Sequence, residues 1–227
     1  MSLFAIGDTH LSFSCEKPMD IFKGWNNYTE RLRSNWSRVV GEDDTVVIAG
    51  DVSWAMTLTD AKKDFEFINS LTGNKLLLKG NHDYWWGTLG KMNAFVKDNG
   101  FHSIKFIHNN AYLVGETAVC GTRGWFYDDA APDEKILQRE AGRLKASITA
   151  AKKTGGAPIV FLHYPPVNEL VACKEIFNIL KDEDIKYCYF GHLHGFVSPL
   201  NARFNYDGIQ FELISADYLN FCPKLIK

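Results

Sequence analysis

The 227-residue chain lacks the long apolar run a membrane helix requires: nothing approaches the roughly 20 consecutive residues of a span. It lacks a dominant charge. With 25 Lys+Arg against 27 Asp+Glu the net charge is -2, so no global positive field draws it to nucleic acid or anionic lipid. It lacks paired cysteines. Cys15, Cys120, Cys173, Cys188 and Cys222 are scattered, odd in number and free of any CxxC spacing, which predicts free thiols in a reducing, cytoplasmic setting. A basic leader is also missing: Leu3-Phe4-Ala5-Ile6 runs straight into a polar cluster, so the N-terminus does not read as a signal peptide. Repeats, linkers and low-complexity stretches are absent, and one domain over 1–227 is expected.

What is present is apolar content of 46%, enough for a sizeable core, arranged in two registers. Leu3–Ile6, Thr45–Ala49 and Lys75–Leu78 are short apolar runs, each stopped near a glycine. Between and after them, Tyr28/Leu32/Trp36/Val39, Ala61/Phe65/Ile68/Leu71 and Leu89/Met92/Phe95 recur at helical spacing. Thr57 and Asp60 suggest a capping box for the second of these helices, with Gly73 as its stop. This βαβαβα order predicts a parallel sheet. The second half is richer in strands. Ser103–Ile107, Ala111–Val114 and Thr117–Gly121 suggest a meander, Leu137/Ala141/Leu144/Ile148 a helix, and Pro158–Leu162, Lys186–Phe190 and Ile209–Ile214 further strands. A helix is expected around Leu170–Leu180. Two sheets sharing one core and covered by helices is the economical reading.

Asp8, Asp51, Asn81, His163 and His192 each come shortly after an apolar strand candidate. Carboxyl ends of strands form the ligand crevice of open α/β sheets, so these residues are expected to converge. Asp8/His10 and His192/His194 are i, i+2 pairs, whose side chains share a face on an extended segment. The candidate donors Asp8, His10, Asp51, Asn81, His163, His192 and His194 mix imidazole with carboxylate, which suits Mn, Fe, Zn or Ni better than Ca or Mg. Thiolates are missing from the set, against a structural zinc. Seven donors are too many for one ion and fit two with open positions.

In order, Asp8-Thr9-His10, Gly50-Asp51, Gly80-Asn81-His82-Asp83, His163 and Gly191-His192-Leu193-His194 resemble the DxH, GD, GNH[DE], lone His and GHxH motifs of the calcineurin-like metallophosphoesterase superfamily, as in its bacterial-type single-domain members. The resemblance implies a four-layer αββα sandwich with two mixed β-sheets. It implies that Asp8, His10 and His194 hold one ion, Asn81, His163 and His192 a second, and that Asp51 bridges them. A hydroxide between the ions would be the nucleophile in an in-line displacement at phosphorus. His82 would sit beside the phosphate as general acid or hydrogen-bond donor, with Asp83 orienting it or raising its pKa. Asn81 ligates through a neutral carbonyl. Two dications, two carboxylates and a hydroxide then leave the centre at about +1, still attractive to phosphate.

The chain departs from the family where some members carry an arginine after GD. Val52-Ser53-Trp54-Ala55 stands there instead, which weakens a protein-phosphatase reading. Arg123 could grip phosphate in its place or form a structural salt bridge. Trp54, Tyr84, Trp85, Trp86 and Trp125-Phe126-Tyr127 could wall a flat substrate group or simply pack; Tyr164-Pro165-Pro166 reads as a rigid turn that aims His163, and Arg123, Trp85 and Tyr164 are the candidate substrate contacts. Residues 12–27 read as a lid or a connection, and His102 and His108 as surface or loop histidines.

The expected function is metal-dependent hydrolysis of a small phosphate mono- or diester or nucleotide, with no membrane or nucleic-acid partner. The alternatives are a protein phosphatase or nuclease, or a metal-binding scaffold without catalysis. A silent scaffold would be expected to have lost a ligand or the GNH histidine, and none is missing.

Overall fold

A computed structural model describes residues 1–125, 134–168, 171–195 and 197–227. In chain order the elements are β1 (Leu3–Ile6), α1 (Tyr28–Val39), β2 (Thr45–Ala49), α2 (Lys62–Ser70), β3 (Asn74–Leu78), α3 (Leu89–Asp98), β4 (Ile104–Phe106), β5 (Ala111–Val114), β6 (Thr117–Thr122), α4 (Glu134–Lys153) and β7 (Ala157–Leu162). Then come β8 (Val167–Asn168), β9 (Val171–Ala172), α5 (Lys174–Asp182), β10 (Tyr187–Phe190), α6 (Pro199–Ala202), β11 (Arg203–Tyr206), β12 (Ile209–Leu213) and β13 (Lys224–Leu225).

One sheet has the order β13-β1-β2-β3-β4, parallel except for β13; the other has the order β11-β12-β10-β7-β6-β5, parallel through its middle with antiparallel edges. The central strands β1, β2, β3, β6, β7 and β10 are buried along most of their length because both faces are covered. Alternation sorts each strand between two cores. In β1, Leu3 and Ala5 join Val47, Leu76, Val119, Ile159 and Phe161 between the sheets. Phe4 and Ile6 face Leu32 and Trp36 of α1 and Phe65 and Ile68 of α2. On the far side Val160, Cys188 and Phe211 pack against Leu137, Leu144 and Ile148 of α4 and Ile176 and Leu180 of α5. Helix, sheet, sheet, helix is the predicted four-layer sandwich.

Several boundaries differ from expectation. The meander does not form: β4 joins β3 in the first sheet, and only β5 and β6 pair as a hairpin in the second. Ile104 and Phe106 are buried under α3, and that burial outweighs the short sequence distance to β5. The Thr57/Asp60 box closes one turn early: Asp60 N donates to Thr57 Oγ1 at 3.2 Å, and α2 starts at Lys62 with no side-chain cap. Its other end is capped by a buried cation. Lys75 Nζ donates to the carbonyls of Leu71 (2.6 Å) and Gly73 (2.8 Å), and burial lowers its pKa to about 8. The helix expected around 170–180 begins at Lys174; Val171–Ala172 is strand, and Leu170 lies outside the described residues, as do Phe126 and Tyr127. All five cysteines are free, with Cys120, Cys173 and Cys188 buried.

Candidate metal centre

The predicted donors meet at the carboxyl ends of β1, β2, β3, β7 and β10. Four of them, Asp8 (φ 58°), His10 (φ 44°), Asp51 (φ 48°) and His192 (φ 72°), are non-glycine residues in the left-handed region. Such backbone is costly and persists where its surroundings over-determine it, commonly at functional sites. The i, i+2 pairs therefore converge through turned backbone, rather than through the extended segments their spacing suggested.

Glycines make the turns close enough. A Cβ on Gly80 would lie 2.1 Å from Asp51 N, and one on Gly191 would lie 2.4 Å from Asp8 Oδ2. The GD and GNHD loops are further joined by Asp83, which is fully buried. Its Oδ1 accepts from Val52 N (2.9 Å), Ser53 N (3.2 Å) and Trp85 Nε1 (3.0 Å), and its Oδ2 from Gly80 N (2.7 Å). This differs from the role expected for Asp83: the carboxylate is turned to the two loop backbones rather than to the His82 imidazole.

Two donor groups result. Asp8, His10 and His194 form one, and Asp51, His163 and His192 the other, each with donor atoms within 4.8 Å of one another. His10 Nε2 is 3.1 Å from His194 Nε2. Asn81 Oδ1 lies 2.6 Å from His163 Nε2 and 3.1 Å from His192 Nδ1, which places Asn81 in the second group. Asp51 lies between them. Its Oδ1 accepts from His82 N (2.8 Å), while Oδ2 is 3.8 Å from His10 Nε2 and 3.5 Å from His163 Nε2.

The electrostatics fit a cation-binding cluster. Burial raises Asp8 to about 7 and Asp51 to about 9, the latter with repulsion from Asp8 and Asp83. Burial and neighbouring imidazoles hold His10 and His163 well below their ordinary pKa. Carboxylates pushed up and imidazoles pushed down are desolvated ligands without the positive charge that would balance them. Imidazole nitrogens, carboxylates and one amide carbonyl are donors of the kind divalent transition-metal ions take.

Asp217 went unnoticed in the sequence. Its Oδ1 is 3.0 Å from His194 Nδ1, and Oδ2 accepts from Gly195 N at 2.8 Å. Burial alone would lower His194, but this hydrogen bond and the charge of Asp8 overcome it and raise the imidazole. The signal available was a carboxylate shortly after the strand candidate Ile209–Ile214. A carboxylate behind a metal-ligating histidine fixes its ring, so Asp217→Asn is expected to weaken metal binding about 10–100-fold. A chelator-competition titration checks this; unchanged affinity would remove Asp217 from the site.

His82 faces a cavity of about 450 Å³ that also opens onto His10, Asp51, His192 and His194. Its Nε2 is 4.0 Å from Asp51 Oδ2, and Tyr84 Oη is 3.5 Å from its Nδ1. The rest of the wall is Met19, Phe22, Lys23, Trp25, Trp54 and Gly195. Segment 12–27 therefore forms a wall of the cavity. Trp54 stacks on His10 (5.0 Å between centroids) and tilts against His82 (4.2 Å), and Trp25 meets His10 and His194 edge-on.

The other singled-out residues lie elsewhere. Trp85 is 3% exposed and packs in the α1–α3 core against Phe65, because its indole N–H is taken by Asp83. Tyr164 packs on His192 (4.5 Å) and His163 (5.2 Å), behind the second donor group. Arg123 lines a different cavity, with its guanidinium 3.8 Å from Glu140. His102 is exposed; His108 is half-buried in the same cavity as Arg123.

Comparison with known proteins agrees with this fold. Over 112 residues the chain is 29% identical to the uncharacterized protein MJ1445 of Methanocaldococcus jannaschii, a match over 47% of this chain and 58% of that relative's length. Among solved structures, it resembles a phosphopantetheinyl hydrolase from Mycobacterium tuberculosis (TM-score 0.56, 12% identity, 99% of this chain and 95% of that one). TT1561 of Thermus thermophilus is similarly related (TM-score 0.59, 11% identity, 99% and 97% covered). So is AQ665 of Aquifex aeolicus, a protein of unknown function (TM-score 0.53, 16% identity, 99% and 95% covered). At these identities the likeness speaks for the fold alone. The family model for calcineurin-like phosphoesterases matches residues 1–196, which include all seven donors. The chain belongs to the calcineurin-like phosphoesterase family.

Proposed function

We propose that this chain, acting as one domain over 1–227, is a dinuclear metal-dependent phosphoesterase that hydrolyses a phosphate mono- or diester of a small molecule or nucleotide. The observation that carries the reading is the placement of Asp51, whose Oδ2 faces both donor groups while Oδ1 is anchored by the His82 backbone N–H. In this reading Asp8, His10 and His194 hold one ion, Asn81, His163 and His192 the other, and Asp51 is shared. When bound, such ions supply Lewis acidity toward phosphate oxygens and water activated near neutral pH.

The protein's own part is positioning and proton handling. Burial, then the charges of His194 and Lys17, lowers the pKa of His82. A neutral His82 can donate an N–H to the phosphoryl group or leaving oxygen, with the Tyr84 hydroxyl beside its other nitrogen. Asp83 fixes the loop that carries His82, so it acts as a positioning residue. One wall of the cavity is apolar, and its volume falls within the roughly 300–1,000 Å³ of small-molecule sites. It suits a substrate with an apolar or flat group beside its phosphate. Arg123 is not among the residues lining this cavity, so phosphate recognition is assigned to the metal ions and His82.

Stripped protein reloaded with Mn²⁺ is expected to hydrolyse bis-p-nitrophenyl phosphate or p-nitrophenyl phosphate, and stripped protein is not. Fully loaded protein with no turnover of either would reject the enzymatic reading.

A further inference from the structure

A second cavity, of about 210 Å³, lies behind the loop that carries Asn81 and His82. It shares no lining residue with the cavity at the donor cluster. Lys79 and Trp86 enter from the β3–α3 connection, His108 from the β4–β5 turn, Arg123 from the end of β6, and Glu140 and Arg143 from α4.

Three cations here face one carboxylate. Glu140, 1% exposed, is already engaged: Oε2 accepts from Thr122 Oγ1 at 2.9 Å, and Oε1 pairs with Arg143 and lies 3.8 Å from Arg123. It balances at most one positive charge. The buried Nε of Arg123 has no hydrogen-bond partner, and Lys79 feels the charges of Asp83 and Glu140 but makes no hydrogen bond to either among the described residues. Buried donors left unpaired are costly, and partly buried cations that outnumber their counter-charges add to that cost. His108 adds no charge: burial, then Arg143 and Lys79, lower its pKa. The cavity is smaller than sites that take drug-sized ligands, about 300–1,000 Å³, and its donors suit the oxygens of a small anion.

We propose that this cavity is a binding site for a small tetrahedral oxyanion, free phosphate, held by Lys79, Arg123 and Arg143 and separate from the metal-ligand cluster. Its position gives occupancy a route to that cluster. Lys79 lies two residues before Asn81, and the Arg123 carbonyl accepts from the N–H groups of His163 (3.1 Å) and Tyr164 (2.9 Å).

The test uses metal-stripped protein, so it stands apart from the proposed catalysis. Without ions the donor cluster lacks the metal charge that would hold phosphate there. Calorimetric titration with inorganic phosphate at pH 8 is expected to show one phosphate per chain. Lys79→Met is expected to weaken it about tenfold or more, as loss of a charged hydrogen bond does, and Lys79→Arg to retain it. Arg143→Met is expected to weaken it similarly, and this residue sits half-exposed on α4, where the substitution spares the core. No phosphate binding, or binding unchanged in both methionine variants, would overturn the proposal.

Discussion

His82→Ala is expected to keep its metals and lose about 10²–10⁴ in kcat, the usual contribution of a positioned acid or base. The His82 imidazole is not part of either donor group, and its ring is about one-third exposed to the cavity. The loop that carries it is held from other atoms: His82 N donates to Asp51, and Asp83 is bonded to Gly80, Val52 and Ser53. Truncating the ring leaves those bonds in place. The deficit should be largest on esters with poor leaving groups, where a hydrogen bond to the charge building on the leaving oxygen matters most. Metal analysis and kinetics on p-nitrophenyl and alkyl esters check both points together. Loss of metal from the variant would make His82 a ligand, and retention of activity would remove it from the chemistry.

Asp51→Asn is expected to lose activity and the shared ion contact, yet to be the more stable protein in chelator at high pH. The sign follows from the direction of the shift. An unfolded aspartate titrates near 4, whereas folded Asp51 is raised to about 9, chiefly by burial. Between those values the unfolded chain binds fewer protons, so metal-free stability falls as pH rises through the window. Asparagine has the shape of the protonated acid and no charge to desolvate. The melting temperatures of the two metal-free proteins should nearly coincide at pH 4 and separate progressively toward pH 9, with the variant higher by several degrees, at about 2–4 °C per kcal/mol for a chain this size. Adding Mn²⁺ should reverse the order, since an ion that binds only the folded wild type stabilises it by mass action. A metal-free difference that is flat with pH would mean that Asp51 is not held in a desolvated site.

Much of this was legible in the sequence for identifiable reasons. The central strands β1, β2, β3, β6, β7 and β10 announce themselves because they are buried on two faces, and the donors because polar residues follow such strands; the exposed edge strands β11 and β13 carry no such run and were not expected. The residues that escaped notice are fixed by tertiary contact. Asp217 gives no local sign that it meets His194, which is 23 residues away along the chain. Trp25 sits in a segment without periodicity, yet it closes the cavity against His10 and His194. Asp83 adjoins His82 in sequence, but tight turns point the two side chains to different partners, so adjacency misleads about its role. The separation of β4 from β5 has the same origin, since a strand's sheet is decided by which helix covers it. Trp85 follows the GNHD motif directly, and that nearness suggested substrate contact; its indole hydrogen bond to Asp83 turns it into the core instead.

The most direct test of the two-ion centre is anomalous diffraction from Mn²⁺-loaded crystals. Two peaks are expected, one among Asp8, His10 and His194 and the other among Asn81, His163 and His192, with Asp51 reaching both. A single peak, or ions bound away from these side chains, would contradict the account.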